Sequence, residues 1–155
     1  MSRFLMLWVA AIVMAGSPAG AYLKLGTPID GRIVDVKWRA PVQYFIAERD
    51  AASVSAADLR AAEARATATW QAVPSATVRF EYQGMTASAP GSVDGRTTLG
   101  FLDRPDLDRV LGSTSFLIDT TDGTIVEADV FFNARFDWSV SAQGTAGRVD
   151  LESVA

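Results

Sequence analysis

The sequence lacks two residue types that carry much of protein chemistry, since it has no cysteine and no histidine among its 155 residues. Without cysteine the chain cannot form a disulfide, use a thiolate nucleophile or bind a metal through sulfur. Without histidine these residues cannot build a Ser-His-Asp triad, a Cys-His dyad or an imidazole-based zinc site. Carboxylates are therefore nearly the only side chains left for acid–base or metal chemistry.

Concentrated positive charge is also missing. The 14 basic and 18 acidic residues give a net charge of −4, and no Lys/Arg cluster occurs. This balance excludes the usual electrostatic basis for binding nucleic acid or an anionic membrane, and we expect neither as a partner. The apolar fraction of 49% is enough for one globular domain with a single core, which we expect to be a monomer.

The first 21 residues have the pattern of a secretory signal peptide. Arg3 supplies a positive start, an apolar run of 13 residues follows, Pro18 interrupts it, and a small-residue motif predicts cleavage after Ala21. A membrane anchor is the alternative, but the run is short of the ~20 residues that a spanning helix needs. We therefore predict a secreted or periplasmic protein, with a lead segment at 22–35 and one domain at 36–155.

The domain begins with a strand and a helix. Pro41–Ala47 is β-rich and almost continuously apolar, which predicts a strand buried on both faces. Ser55 and Asp58 form a short capping box for a long helix of about five turns that Pro74 ends. Its predicted apolar face is Leu59, Ala62, Ala66, Trp70 and Val73. Its predicted polar face is Arg60, Glu63, Thr67 and Gln71.

Four further strands are predicted after this helix. Their ranges are 76–83, 97–103, 112–119 and 124–133, and the last two form a hairpin around Asp122-Gly123. Because a strand followed by a crossover helix pairs in parallel, the fold class is α/β (α+β). We expect a mixed, mostly parallel, five-stranded twisted sheet with a long helix packed on it. Asp150 then caps a further helix that starts at Leu151.

Acidic residues cluster after one of the predicted strands. Asp103, Asp106 and Asp108 could support glycoside hydrolysis by a pair of carboxylates. A solvated loop with local ion pairs to Arg104 and Arg109 explains the same residues with fewer assumptions. A hydrolase that relies on these carboxylates is therefore only a third functional hypothesis.

Two other segments invite comparison with calcium sites. The stretch 119–124 has two acids and a glycine, but it lacks the ligand spacing of an EF-hand, and a hairpin turn explains it. The oxygen-rich stretch near the end of the last long strand contains Glu127, Asp129, Asn133 and Asp137. Asn133 and Asp137 are our weak calcium candidates, because Arg135 lies between them and would repel a cation.

Most aromatic residues are expected in the core, where packing alone accounts for them. They are Trp38, Tyr44, Phe45, Trp70, Phe80, Phe101, Phe131 and Phe132. Trp138 follows the last long strand, and we expect it to close one end of the core.

Four stretches in this order carry a resemblance to a known family: "SATVRFEYQG", "DGRTTLGFLD", "GTIVEADVFFN" and "DLESVA". Over about residues 36–155 the chain resembles the bacterial matrixins, which are zinc endopeptidases of the metzincin group. The resemblance implies the N-terminal subdomain of a metzincin, truncated before the helix that bears H-E-x-x-H. It places that helix just after Ala155, so this chain has no catalytic residue, binds no zinc and is expected to be inactive alone.

The resemblance also implies a substrate-binding edge. In matrixins the strand corresponding to "GSTSFLID" is the outer strand of the sheet, and an extended peptide or protein substrate pairs antiparallel with it. The residues implied are Gly112, Ser113, Thr114, Ser115 and Phe116.

The sequence departs from the family pattern at two positions. A histidine ligand of the structural zinc of animal matrixins would fall at Phe131, so that zinc is not expected. Asn133 keeps an oxygen at the family's calcium site, whereas Arg135 replaces an acid.

The leading functional hypothesis is that the chain is part of a secreted zinc-dependent endopeptidase. The alternative is a secreted, non-catalytic peptide-binding module, a pseudo-protease that uses the same edge strand.

Overall fold

The structure, a computed structural model, describes residues 24–141 and 143–155. The predicted signal peptide and its cleavage site at Ala21 lie outside the described residues. In chain order the elements are β1 (Gly26–Ile29), β2 (Arg32–Asp35), β3 (Val42–Ala47), α1 (Ala56–Gln71), β4 (Phe80–Thr86), β5 (Thr97–Leu102), a 3-10 turn (Pro105–Leu107), β6 (Gly112–Ile118), β7 (Ile125–Asn133), β8 (Trp138–Ser139), β9 (Val149–Asp150) and α2 (Leu151–Val154).

The central sheet has five strands in the order β4-β3-β5-β7-β6. The pairs β3–β4, β3–β5 and β5–β7 are parallel, and β6 is antiparallel to β7. This confirms the predicted mixed, mostly parallel sheet. The parallel pairs follow from the crossover connections, whereas the short turn between β6 and β7 forces an antiparallel pair at the edge.

Helix α1 starts where the capping signal predicts. The Ser55 side chain accepts the backbone N–H of Asp58, and the Asp58 carboxylate accepts the backbone N–H of Ser55 at 3.1 Å. The helix runs for 16 residues and ends at Gln71, so it is shorter than the long helix predicted up to Pro74. The Gln71 side chain then accepts the backbone N–H of Phe80, which ties the end of α1 to the start of β4.

The two faces of α1 differ from the prediction at three positions, one of which is Val73, because it lies beyond the end of the helix and is 39% exposed. Leu59 and Ala62 are fully buried, as predicted. Trp70 was expected in the core, but it is 61% exposed, because the last turn of α1 extends past the body of the core. Glu63 was placed on the polar face, but only 4% of it is exposed. Position 63 follows Ala62 on the side of the helix that faces the sheet, so periodicity alone assigned it wrongly.

At the end of the sheet where β5 leads into the 3-10 turn, the core consists mainly of aromatic side chains. Phe101, Phe132 and Trp138 are buried and pack with ring centroids 5.9 to 6.2 Å apart. Leu151 at the start of α2 belongs to the same cluster and is fully buried. Trp138 therefore closes this end of the core as predicted, and its indole N–H donates to the Asn133 carbonyl at 2.9 Å.

The lead segment has structure that the sequence analysis missed. β1 and β2 form an antiparallel hairpin whose two turn residues, Asp30 and Gly31, have φ of 47° and 76°. These positive φ values define the tight turn for which Asp-Gly is suited. The hairpin leads to Lys37, whose backbone pairs with the β6–β7 turn through Gly123 and Ile125. The two strands are mostly exposed, which is why they show no strong hydrophobic periodicity.

Strand β4 begins at Phe80, four residues later than predicted, and the other strands of the sheet start and end within one residue of the predicted ranges. None of the helices formed by the described residues has both the length and the apolar character needed to cross a membrane.

Candidate functional site

The edge strand β6 is the candidate site that the resemblance to the matrixins implies. Its only strand neighbour among the described residues is β7. Five consecutive residues, Ser113 to Leu117, are exposed, including 43% of Phe116. Because alternate backbone N–H and C=O groups of an edge strand point away from its neighbour, β6 presents a row of hydrogen-bonding groups to solvent.

The close pairing of β6 with β7 depends on a glycine at its start. A Cβ at Gly112 would lie 2.6 Å from the Phe131 carbonyl oxygen, so a side chain there would push the strands apart. From this point the register is regular up to Leu117, and it shifts only between Leu117 and Ile118. The exposed part of the strand is therefore straight and regular.

The two edges of the sheet differ in how they are protected. β4 carries a charge at Glu81, and the register with β3 skips Gln83, beside a glycine with φ of 129°. A charge and a bulge are the usual features that prevent an edge from pairing with another chain. The sequence of β6, GSTSFLI, has no charge and no proline. Of the two edges of the central sheet, β6 is therefore the one left suitable for strand addition.

A loop formed by residues 87–96 lies over the outer face of the sheet beside β6. The Asp129 carboxylate accepts the backbone N–H groups of Gly91 at 2.5 Å and Thr98 at 2.8 Å. The Glu127 carboxylate accepts the N–H of Gly95 at 2.5 Å. Both acids are 4% exposed, and a groove of about 180 Å³ lies between this loop and β6. These two acids fix the wall of the groove.

The two calcium candidates, Asn133 and Asp137, form hydrogen bonds and an ion pair with different groups. Asn133 is fully buried, and its side-chain amide donates to the carbonyls of Arg104, Leu107 and Val110 at 2.9 to 3.2 Å. Its oxygen accepts backbone N–H groups, and Asp137 forms an ion pair with Arg148 at 3.2 Å. Across residues 24–141 and 143–155, no three Asp or Glu side chains form a group that could hold a metal ion.

The acidic cluster after β5 forms one ion pair with the predicted Arg104 and one with Arg135, which follows β7. Asp106 bonds Arg104 at 2.6 Å, and Asp103 lies 3.6 Å from Arg135. The Arg104 guanidinium holds the pKa of the Asp106 carboxyl below its usual range. Both acids are more than half exposed. This arrangement matches the solvated loop favoured from the sequence, and it does not place two carboxyls across a cleft.

The stretch 119–124 forms the predicted hairpin turn. Asp119 accepts both the backbone N–H and the hydroxyl of Thr121, and Asp122 accepts the N–H of Thr124. These hydrogen bonds lower the pKa of both aspartates. Their carboxylates serve the turn itself.

Comparison with known proteins does not add an identity to these observations. No protein-family model matches the sequence. Neither the curated proteins nor the solved structures give a significant match. The fold and the edge strand therefore define only a class, a mixed α/β sheet with one unprotected edge.

Two features of this region were missed from the sequence. Glu127 and Asp129 were considered only as metal ligands, whereas they hold the loop over the sheet. A signal for this role was present, because alternate acids on a strand otherwise rich in apolar residues lie on one face. Their partners are backbone N–H groups, which no sequence pattern marks.

Proposed function

We propose that this chain is the peptide-binding sheet of a secreted zinc-dependent endopeptidase. In this proposal an extended segment of a protein substrate adds to β6 as an antiparallel strand. The observation that carries the proposal is the contrast between the protected edge at β4 and the unprotected edge at β6. The resemblance to the matrixins supports the choice of this strand, because it implies the same five residues, Gly112 to Phe116.

The edge offers both affinity and selectivity to a bound peptide. Main-chain hydrogen bonds to β6 would hold any extended sequence, and alternate peptide side chains would meet the two faces of the sheet. Ser115 pairs with Asp129 on the outer face, beside the groove under the loop. Phe116 pairs with Ala128 on the inner face. We expect the outer face to select small or polar peptide side chains and the inner face apolar ones.

Zinc chemistry does not fit the residues of this sequence. The sequence has neither histidine nor cysteine, and the described residues contain no cluster of acids that could replace them. In the proposed enzyme the metal ligands and the general base therefore lie outside this sequence. The part played by the present residues is to bind the peptide and hold it extended.

The binding half of the proposal is tested with two neighbouring proline substitutions. Amides alternate along a strand, so of Thr114 and Ser115 one N–H faces β7 and the other faces solvent. Thr114→Pro and Ser115→Pro are each compared with wild type by thermal melting and by fluorescence anisotropy with a labelled pool of extended peptides. We expect the variant that keeps its melting temperature to bind the peptides at least about tenfold more weakly.

The matched control lies at the other edge. Gln83→Pro removes an amide at the bulge of β4 and is expected to leave peptide binding unchanged. Equal peptide binding by wild type and by the well-folded β6 variant would show that β6 is not the binding edge.

The catalytic half has a separate test. The transcript that encodes Ala155 is expected to encode H-E-x-x-H further along in the same frame, and the protein from the native source is expected to lose proteolysis on treatment with EDTA. Absence of that motif together with intact peptide binding would select the alternative, a secreted pseudo-protease. This alternative rests on the same exposed edge at β6, which can pair with a peptide without a metal.

A further inference from the structure

A cavity of about 130 Å³ lies between α1 and the inner face of the sheet. Ala128 and Val130 of β7 line it, whereas Glu127 and Asp129 face the loop on the other side. Alternate residues of a strand point to opposite faces, so the cavity and the groove beside β6 are separated by the sheet. The cavity is therefore distinct from the proposed peptide-binding edge.

Glu63 is the only charged side chain in the lining of this cavity. It is 4% exposed, and its Oε1 atom has no hydrogen-bond partner. The two threonine hydroxyls of the lining bond groups other than the Glu63 carboxylate. Thr67 donates to the Glu63 carbonyl at 2.7 Å, and Thr97 accepts the N–H of Ala128 at 3.1 Å.

Apart from the Tyr44 hydroxyl and the Trp38 indole N–H, the rest of the lining is apolar, with Val42, Leu99 and Val130 supplied by three different strands. An apolar cavity of about 150 Å³ binds benzene, so this space of about 130 Å³ has room for one small ring at most. Burial raises the pKa of the Glu63 carboxyl to about 7, so the ionised form is well populated at mildly alkaline pH. An unpaired carboxylate in such surroundings is stabilised strongly by a cation.

We propose that this cavity binds a small apolar amine, whose ammonium group pairs with the Glu63 carboxylate. The hydrocarbon body of the ligand contacts Val42, Leu99 and Val130, and the ammonium donates to the free Oε1 atom. A convergent polar group at one point of an otherwise apolar concave site is the usual composition of a small-molecule site. The proposal goes beyond peptide binding, and either one can fail without the other.

The test uses benzylamine as the probe and toluene as its uncharged counterpart. Each is titrated into the full chain above neutral pH, and binding is followed through the methyl NMR resonances of Val42, Leu99 and Val130. We expect saturable shifts with benzylamine and affinity at least about tenfold higher than for toluene. The affinity for benzylamine is expected to fall as the pH is lowered through about 7, because Glu63 then becomes protonated.

Two variants distinguish the effect of the Glu63 charge from the effect of the cavity volume. Glu63→Gln keeps the volume and is expected to weaken benzylamine binding at least about tenfold while leaving toluene binding unchanged. Ala128→Leu fills the cavity without touching the carboxyl and is expected to abolish binding of both probes. The proposal is overturned if benzylamine binds Glu63→Gln as well as wild type, if Ala128→Leu still binds it, or if wild type shows no shifts at the cavity methyl groups. Should Glu63→Gln fail to fold, the other variant and the two probes still decide the question.

Discussion

Two single residues, Glu63 and Asn133, occupy buried positions that suit apolar side chains better. One carboxylate oxygen of Glu63 has no hydrogen-bond partner, whereas both the oxygen and the nitrogen of the Asn133 side-chain amide have partners. Since an unpaired buried polar group destabilises a fold and a fully bonded one does not, these residues should behave oppositely when they are replaced.

Replacement of Glu63 should alter how stability depends on pH. Its pKa is raised from 4.5 to about 7 on folding, so the folded state binds the proton more tightly than the unfolded state. The contribution of Glu63 to stability is therefore greatest below about pH 4.5 and falls as the pH rises to about 7, by roughly 3 kcal/mol. Burial, together with the nearby Glu63, raises the pKa of the Tyr44 hydroxyl, so Tyr44 stays neutral over this range.

We expect Glu63→Gln to remove most of this fall and to unfold at higher urea concentration than wild type at neutral pH. Urea melts across the pH range measure the effect. A wild-type stability that rises with pH over that window would contradict it.

Replacement of Asn133 should destabilise the fold at every pH. Asn133→Ala leaves three loop carbonyls and two backbone N–H groups without their side-chain partner. We therefore expect a loss of about 2–4 kcal/mol in the free energy of unfolding. Asn133→Asp should be at least as harmful, because it directs a carboxylate at those carbonyls. The stability of wild type is expected to be the same in calcium and in EDTA. A rise in melting temperature with calcium would support Asn133 and Asp137 as a calcium site.

At the scale of elements, α1 and the loop 87–96 are each held by side chains that bond backbone groups. The capping box at Ser55 is local and was visible in the sequence. The bonds of Glu127 and Asp129 to the loop join residues more than 30 positions apart and were not. The spacing between partners explains this difference, since short-range rules describe only bonds between near neighbours.

Removal of the cap should have a modest and local effect. Ser55→Ala loses the acceptor for the Asp58 N–H, and we expect a cost of about 1 kcal/mol. Thr69→Ala, at an exposed site on the same helix, is the control and should change stability by less than about 0.5 kcal/mol. Urea denaturation of both variants makes the comparison, and equal stability of the two would show that the cap contributes nothing.

Removal of the carboxylate that holds the loop should free it from the sheet. Asp129→Asn turns an acceptor of the Gly91 and Thr98 amides partly into a donor, so we expect faster hydrogen exchange at both amides. The overall cost is expected at about 1–3 kcal/mol. Asp94→Asn, in the exposed part of the same loop, is the control, and unchanged exchange at Gly91 in Asp129→Asn would refute the role of this acid.

At the scale of the whole molecule, the sheet and α1 form the body of the fold, and the β1–β2 hairpin is an addition. All members of the buried core cluster lie at or after Tyr44. The link between hairpin and sheet runs through the β6–β7 turn, where Arg39 contacts Asp122 and Thr124.

A chain that starts at residue 36 should therefore still fold. We expect one cooperative thermal transition, lowered by only a few degrees, because the removed strands are mostly exposed and Arg39 remains. Circular dichroism of the shortened chain measures this. Loss of the cooperative transition would mean that the lead segment belongs to the folding unit.

Much of the fold could be predicted because its signals are local. The caps at Ser55 and Asp150, the Asp-Gly turn of the β6–β7 hairpin and the apolar strand Val42–Ala47 all act between near neighbours. The hairpin of the lead segment was missed although its Asp-Gly turn was equally visible, because its exposed strands lack alternation. The exposure of Trp70 was missed because it depends on where the core ends.

The sequence by itself determined the five strands of the central sheet and the two helices, their order, the parallel pairing and the absence of imidazole and thiol chemistry within these residues. Each of these follows from composition or from contacts between near neighbours. Only the tertiary structure decided which edge stays open, which acids hold the outer loop and that Glu63 faces an apolar cavity. These depend on side chains brought together from distant positions, because burial and the loss of water around a charge are properties of the assembled fold.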